Sequence, residues 1–285
     1  MATELSGRRV LITGAARGIG AATARRLHER GARVVLAGIE PDALARTAAG
    51  CGDALAVVCD VRDRDQVEAA VEAAAEHLRG LDIVVANAGV AAQLPLIGGD
   101  PQVFERTIEV NLHGVYYTLR AAGPHIAHER GYALAIASLA AAVHPPLLGA
   151  YSASKAGVEA LADSLRIELA PSGARVGVAY FAELDTDMVR RGFGTAAAKR
   201  IAEIRRPMAR VSPLEVGIDA IERGIARRSR RVVAPRWVAA ALPMRMLVQR
   251  AVELASRSAI EEVLEIARAE DAPLTTPQPG ARSRT

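Results

Sequence analysis

Six short apolar runs recur along the first two-thirds of the chain, each separated from the next by a segment of helix length. They are Arg9–Thr13, Arg33–Ala37, Ala54–Cys59, Ile83–Asn87, Ala133–Ser138 and Val176–Phe181, and Arg231–Ala234 reads as a seventh. Apolar residues fill these runs almost without alternation, as in strands buried on both faces. Helical patterning covers Ile19–Arg30, Pro41–Ala49, Arg64–Leu78, Pro101–Ala121 and Ala150–Ala170 between them. Such alternation predicts an α/β fold, a doubly wound parallel sheet of about seven strands in three α/β/α layers. Ligands then belong at the carboxyl ends of the strands.

With 285 residues, 51% of them hydrophobic, the chain can bury one large core. No apolar run approaches the ~20 residues that a membrane-spanning helix needs. Met1 to Arg9 lacks a basic region followed by an apolar stretch, so no secretory signal is expected and the cytoplasm is. Cys51 and Cys59 fit a reducing compartment as structural thiols. No His/Cys spacing suggests a metal site, and none is predicted. The net charge is +4, and basic residues collect between Arg223 and Arg236. With only 3% aromatic residues to stack on bases, a solvated helix face is a better reading of that run than nucleic-acid binding.

The first strand leads into Gly14-Ala15-Ala16-Arg17-Gly18-Ile19-Gly20 before a helix starts. Glycines there permit a tight turn and let backbone amides approach a pyrophosphate, whose charge the helix amino terminus favours. Further on, Tyr151 and Lys155 stand four residues apart, so a helix brings the ammonium near the phenol. Lys155 is one of two lysines among 36 basic residues, which suggests a position requiring a compact charge. Asn111 interrupts an apolar helical stretch, Val110-Asn111-Leu112, and needs a buried hydrogen bond or a bound water there. Asp60 ends the third strand, where it can cap the helix starting near Arg64 or face a ligand. Asn87 ends the fourth, and Gly89 beyond it makes room for a ligand. Ser138 lacks the Gly-x-Ser-x-Gly elbow of a hydrolase nucleophile, and His144 near Pro145-Pro146 reads as structural or substrate-lining.

Thr13-Gly14-x-x-x-Gly18-Ile19-Gly20, Asp60, Asn87-Ala88-Gly89, Asn111, Ser138 and Tyr151-x-x-x-Lys155 occur in the order expected of one family. Over about residues 6–235 the chain resembles the short-chain dehydrogenase/reductases. The resemblance implies a single Rossmann-type catalytic domain over 1–235, with a substrate lid near 187–210. It implies NAD or NADP bound by Gly14, Arg17, Gly18, Ile19, Gly20, Gly38, Asp60, Val61, Asn87, Ala88, Gly89, Tyr151, Lys155, Leu184 and Thr186. Asp60 would face the adenine amino group and Thr186 the carboxamide. Asn111, Ser138, Tyr151 and Lys155 would form the catalytic tetrad, with Lys155 also on the ribose hydroxyls and Asn111 holding a water. A free tyrosine titrates near ~10, so Lys155 and an oxidised nicotinamide are expected to lower the pKa of Tyr151. Tyr151 then exchanges a proton with an alcohol or carbonyl whose oxygen Ser138 holds.

The sequence also departs from the family pattern. The NAD-selecting aspartate position is Gly38, the basic position of many NADP-preferring relatives is Ile39, and Phe181-Ala182 replaces Pro-Gly. Arg17 can pair with a 2′-phosphate, whereas Glu40 would repel one, and the balance leans slightly to NADP. Leu94–Leu96, Leu139–Leu148 and the lid are expected to line an apolar pocket for a small alcohol or ketone. A helical extension over 236–270 is read as a dimer or tetramer contact or a pocket cap ahead of a membrane-surface helix. Residues 271–285 are expected to be disordered. A catalytically silent nucleotide-binding regulator is the second reading, and an epimerase or dehydratase lacks chain for its larger substrate domain.

Overall fold

The computed structural model describes residues 2–192, 195–204, 210–270 and 274–276. Its strands are β1 (Arg9–Thr13), β2 (Arg33–Gly38), β3 (Ala56–Val58), β4 (Ile83–Ala86), β5 (Tyr132–Ile136), β6 (Arg175–Phe181) and β7 (Arg231–Ala234). They form one parallel sheet in the order β3-β2-β1-β4-β5-β6-β7. The chain winds outward from β1 to β3, crosses back to β4, and winds the other way to β7. The winding reverses between β1 and β4, which opens a crevice above their carboxyl ends.

The helices before β6 are α1 (Ala2–Leu5), α2 (Gly18–Glu29), α3 (Pro41–Ala49), α4 (Arg64–Leu78), α5 (Pro101–Ile108), α6 (Gly114–Ile126) and α7 (Gly149–Glu168). After β6 come α8 (Asp187–Gly192), α9 (Ala196–Ile204) and α10 (Leu214–Arg227), and after β7 come α11 (Val238–Ala241), α12 (Arg245–Ser256) and α13 (Ile260–Ala269). The unbroken apolarity of the strands follows from burial on both faces. Val10 and Ile12 pack with Leu27 of α2, Leu44 of α3 and Ile221 of α10. Leu11, between them, packs on the opposite layer with Val71 of α4, Leu119 of α6 and Val158 of α7.

Three local expectations need correction. The single helix predicted over Pro101–Ala121 is divided by a π turn at Glu109–His113, and α6 runs on to Ile126. That wider turn carries Asn111, whose side chain binds the backbone of Val90. Asp60 does not cap α4: Asp63 does, accepting from the amides of Asp65 and Gln66 at 2.9 and 3.1 Å. Asp60 lies too early in the turn to reach them and binds Arg62 instead. Within the tail expected to be disordered, Thr275 is buried and hydrogen-bonded to Ala91.

The rest of that tail, residues 271–273 and 277–285, lies outside the described residues, as do 193–194 and 205–209 of the expected lid. Among the described residues, no helix is long and apolar enough to cross a membrane.

Candidate active site

The glycine turn connects β1 to α2 and is shaped by backbone contacts. Gly14 has φ +64° and Gly18 φ +54°, a region costly for any residue bearing a Cβ. A Cβ on Gly20 would collide with the Gly14 carbonyl and lie 2.6 Å from Asn87 Nδ2. Asn87 closes the turn from the neighbouring strand, donating through Nδ2 to the carbonyls of Thr13 and Gly14 at 2.9 and 3.2 Å. Thr13 Oγ1 in return accepts from the amides of Asn87 and Ala88 at 3.1 and 3.3 Å.

Two observations fit this turn to a pyrophosphate. The space beside Gly18 is open, with no atom within 4 Å of a Cβ built there. Arg17, the N-cap of α2, makes no side-chain cap bond, so the first amides of the helix keep their capacity for an anion.

One cavity runs from this turn to the amino-terminal end of α7. Gly14, Arg17, Gly18, Ile19, Gly38, Asp60, Val61, Asn87, Ala88, Gly89, Ser138, Tyr151, Lys155, Leu184 and Thr186 all line it. Gly20 and Asn111, also expected at the site, stand behind its wall. Asn111 is fully buried: Oδ1 accepts from Val90 N at 2.8 Å, and Nδ2 donates to Val90 O at 2.9 Å and Ser154 Oγ at 3.1 Å.

Tyr151 lies in the first turn of α7 and Lys155 one turn later, as the spacing predicts. Lys155 Nζ donates to Ile136 O at 2.8 Å and lies 5.6 Å from the centre of the Tyr151 ring. Lys155 is only 3% exposed, and burial pushes its ammonium down to about 8. Burial also raises the pKa of Tyr151, partly opposed by the hydroxyl of Ser138 beside it. The expected lowering of the Tyr151 pKa is therefore absent from the protein's own field. Desolvation of the phenol outweighs the help that its neighbours give.

Ser138 follows β5 rather than ending it. Its Oγ accepts from Ala140 N at 3.1 Å and donates to Phe181 O at 3.3 Å. His144 Nδ1 is within 3.0 Å of Ala140 O, and its amide donates to Gln249.

Ser154, Arg62, Thr275 and Thr276 are four contributors that escape a reading of the sequence. Ser154 Oγ donates to Tyr151 O at 2.7 Å and joins α7 to Asn111. A serine directly before Lys155 on a buried helix face was the available signal. Glu40 forms an ion pair with Arg17 across the cavity wall, and Asp60 is held by Arg62 at 2.8 and 2.9 Å. Thr275 and Thr276 complete the wall from near the end of the chain, with no local signal in their sequence. Among the described residues, no group of three or more His, Cys, Asp or Glu side chains could hold a metal ion.

Comparison with known proteins identifies the family. The short chain dehydrogenase family model matches residues 8–197. The cis-4-hydroxycyclohexanecarboxylate dehydrogenase of Sinomonas cyclohexanicum is 38% identical over 226 residues, which cover 78% of this chain and 90% of that protein. Glycine betaine reductase of Emericella nidulans is 38% identical over 204 residues, 70% of this chain but only 16% of that longer protein. A short-chain dehydrogenase/reductase of Burkholderia phymatum, solved in complex with NAD, superposes with a TM-score of 0.75 at 25% identity, covering 88% of this chain and 96% of that one. By its fold, its motifs and these matches, the chain belongs to the short-chain dehydrogenase/reductase family, NAD(P)-dependent oxidoreductases that act on CH–OH groups.

Proposed function

We propose that this protein interconverts a compact, apolar secondary alcohol and its ketone, with Tyr151 as the general acid and base. The observation that carries this reading is the meeting of Ser138, Tyr151 and Lys155 in a cavity that also contains the glycine turn. When bound, the nicotinamide ring supplies the acceptor or donor of the hydride.

The chain's residues do the rest. Gly14, Gly18 and the amino terminus of α2 hold the pyrophosphate, and Lys155 holds ribose hydroxyls with the donors that Ile136 leaves free. Ser138 hydrogen-bonds the substrate oxygen. Tyr151 takes the hydroxyl proton during oxidation and returns it to the carbonyl oxygen during reduction. The ammonium of Lys155 stabilises the phenolate that oxidation requires, offsetting the burial that raises its pKa. Asn111 acts from behind Gly89 as a positioning residue, fixing Val90 and Ser154, and a water between it and Lys155 completes a proton relay. Homodimer or homotetramer assembly and a cytoplasmic location belong to the same reading. A silent regulator would have no use for Tyr151 and Lys155 together.

The Arg17–Glu40 pair bears on the choice of cofactor. Among the described residues, Arg17 and Lys155 are the cations of the cavity wall, and Arg17 already has a carboxylate partner. A 2′-phosphate would have to displace Glu40, which favours NAD over NADP, against the slight lean to NADP read from Arg17 and Glu40 in the sequence. Val90, Ile136, Phe181, Leu184, Met188 and Val189 give the cavity apolar walls suited to an alicyclic substrate.

The test is cofactor reduction, followed by absorbance, with NAD and NADP against alicyclic secondary alcohols and phosphorylated sugars. Turnover of the alicyclic alcohols, faster with NAD, is expected. Turnover of phosphorylated sugars alone would overturn the substrate reading.

A further inference from the structure

The chain beyond β7 is bound to the rest of the protein at several separate points. Arg245 of α12 donates to Glu159 of α7 at 2.8 and 3.3 Å, and Tyr180 OH donates to the same carboxylate at 3.0 Å. Gln249 accepts from the amide of His144 at 2.8 Å. Val263 of α13 forms a small separate core with Leu147, Ala197 and Ile201, reinforced by the Arg200–Glu262 ion pair at 2.9 Å. Glu270 then caps α9 from outside, accepting from the amides of Ala196 and Ala197 at 2.6 and 3.2 Å.

The last described attachment reaches the cavity. Thr275 N donates to Ala91 O at 3.0 Å, and Thr275 Oγ1 accepts from Ala91 N at 3.0 Å. A single threonine thus satisfies both backbone groups of Ala91 and is itself only 4% exposed. Ala91 follows closely on Gly89, where a built Cβ would lie 3.5 Å from Lys155 Nζ. Thr275 and Thr276 share one cavity wall with Tyr151, Ser138 and Met188.

We propose that Thr275 is a specificity-determining residue. Pinned to Ala91, it forms with Thr276 a fixed wall of the substrate pocket, which favours a single alicyclic ring over a fused pair. This inference rests on the reading of the cavity as an alcohol–ketone site. Such a wall discriminates by size because it is held through both main-chain and side-chain bonds, and weakening either lets it recede from a bulkier ligand. One buried hydrogen bond is worth about 1 kcal/mol net, and roughly 1.4 kcal/mol is a tenfold change in affinity.

The experiment titrates the NAD-saturated full chain with cyclohexanol and with 2-decalol by calorimetry, in the wild type, Thr275→Val and Thr275→Pro. Valine keeps the shape and removes the Oγ1 acceptor, whereas proline removes the amide donor as well. The wild type is expected to prefer cyclohexanol, with the preference falling by about fivefold in Thr275→Val and further in Thr275→Pro. NAD affinity, unchanged in Thr275→Val, reports that the variant is folded. An unchanged preference in folded Thr275→Val, or failure of the wild type to bind either alcohol, overturns the inference. Binding with the expected preference but without hydride transfer would overturn the proposed reaction and leave the role of Thr275 standing.

Discussion

The two ends of the cavity are built in different ways. At the glycine turn, backbone meets backbone: Gly20 packs against the Gly14 carbonyl, and Asn87 and Thr13 bind main-chain groups of each other's strands. Around the other end, side chains from distant parts of the sequence hold the surrounding elements together, as Glu270 does through the amides of α9, Arg245 through Glu159 and Thr275 through the backbone of Ala91. Backbone approach leaves almost no choice of residue. Side-chain attachments can be exchanged without disturbing the sheet, so a common cofactor end can serve many substrate ends.

Variants at each end test this difference. The larger effect belongs to Gly20→Ala, whose new methyl group must displace backbone. Overpacking of this kind costs about 1–3 kcal/mol, so NAD affinity measured by calorimetry should fall by roughly tenfold to a hundredfold. Unchanged NAD affinity would show that the close approach is dispensable. The smaller effect belongs to Glu270→Ala, which removes the external cap of α9. A lost cap costs about 1 kcal/mol, which should lower Tm by about 2–4 °C in thermal unfolding. NAD affinity should not change, and a fall comparable with that of Gly20→Ala would erase the distinction between the two ends.

The same distinction explains what could be read from the sequence. Strands buried on both faces reveal themselves through uninterrupted apolar runs, and β1, α3, α4 and β7 have the predicted limits. The glycine turn and the Tyr151–Lys155 spacing are local patterns with local geometric causes. The π turn at Glu109–His113 is not local in origin: it accompanies the bonds of Asn111 to Val90, on a loop that follows another strand. Asp63, rather than Asp60, caps α4 because the cap depends on the residue at which the helix turns, which composition alone does not specify. The Arg17–Glu40 pair and the Thr275–Ala91 bonds depend on the folded arrangement of separate segments, and neither residue carries a pattern that announces its partner.

In the proposed reaction Tyr151 transfers the proton. Its pKa is raised by burial, so at neutral pH the phenol holds its proton in the free protein. Oxidation needs the phenolate and should accelerate as pH rises, whereas carbonyl reduction needs the phenol and should decline. The most direct test is the pH dependence of single-turnover alcohol oxidation in the wild type and in Tyr151→Phe, with cofactor affinity measured alongside. Tyr151→Phe is expected to bind cofactor almost normally, lose the pH dependence and react about 10²–10⁴-fold more slowly. A variant that kept both the wild-type rate and its rise with pH would contradict proton transfer by Tyr151.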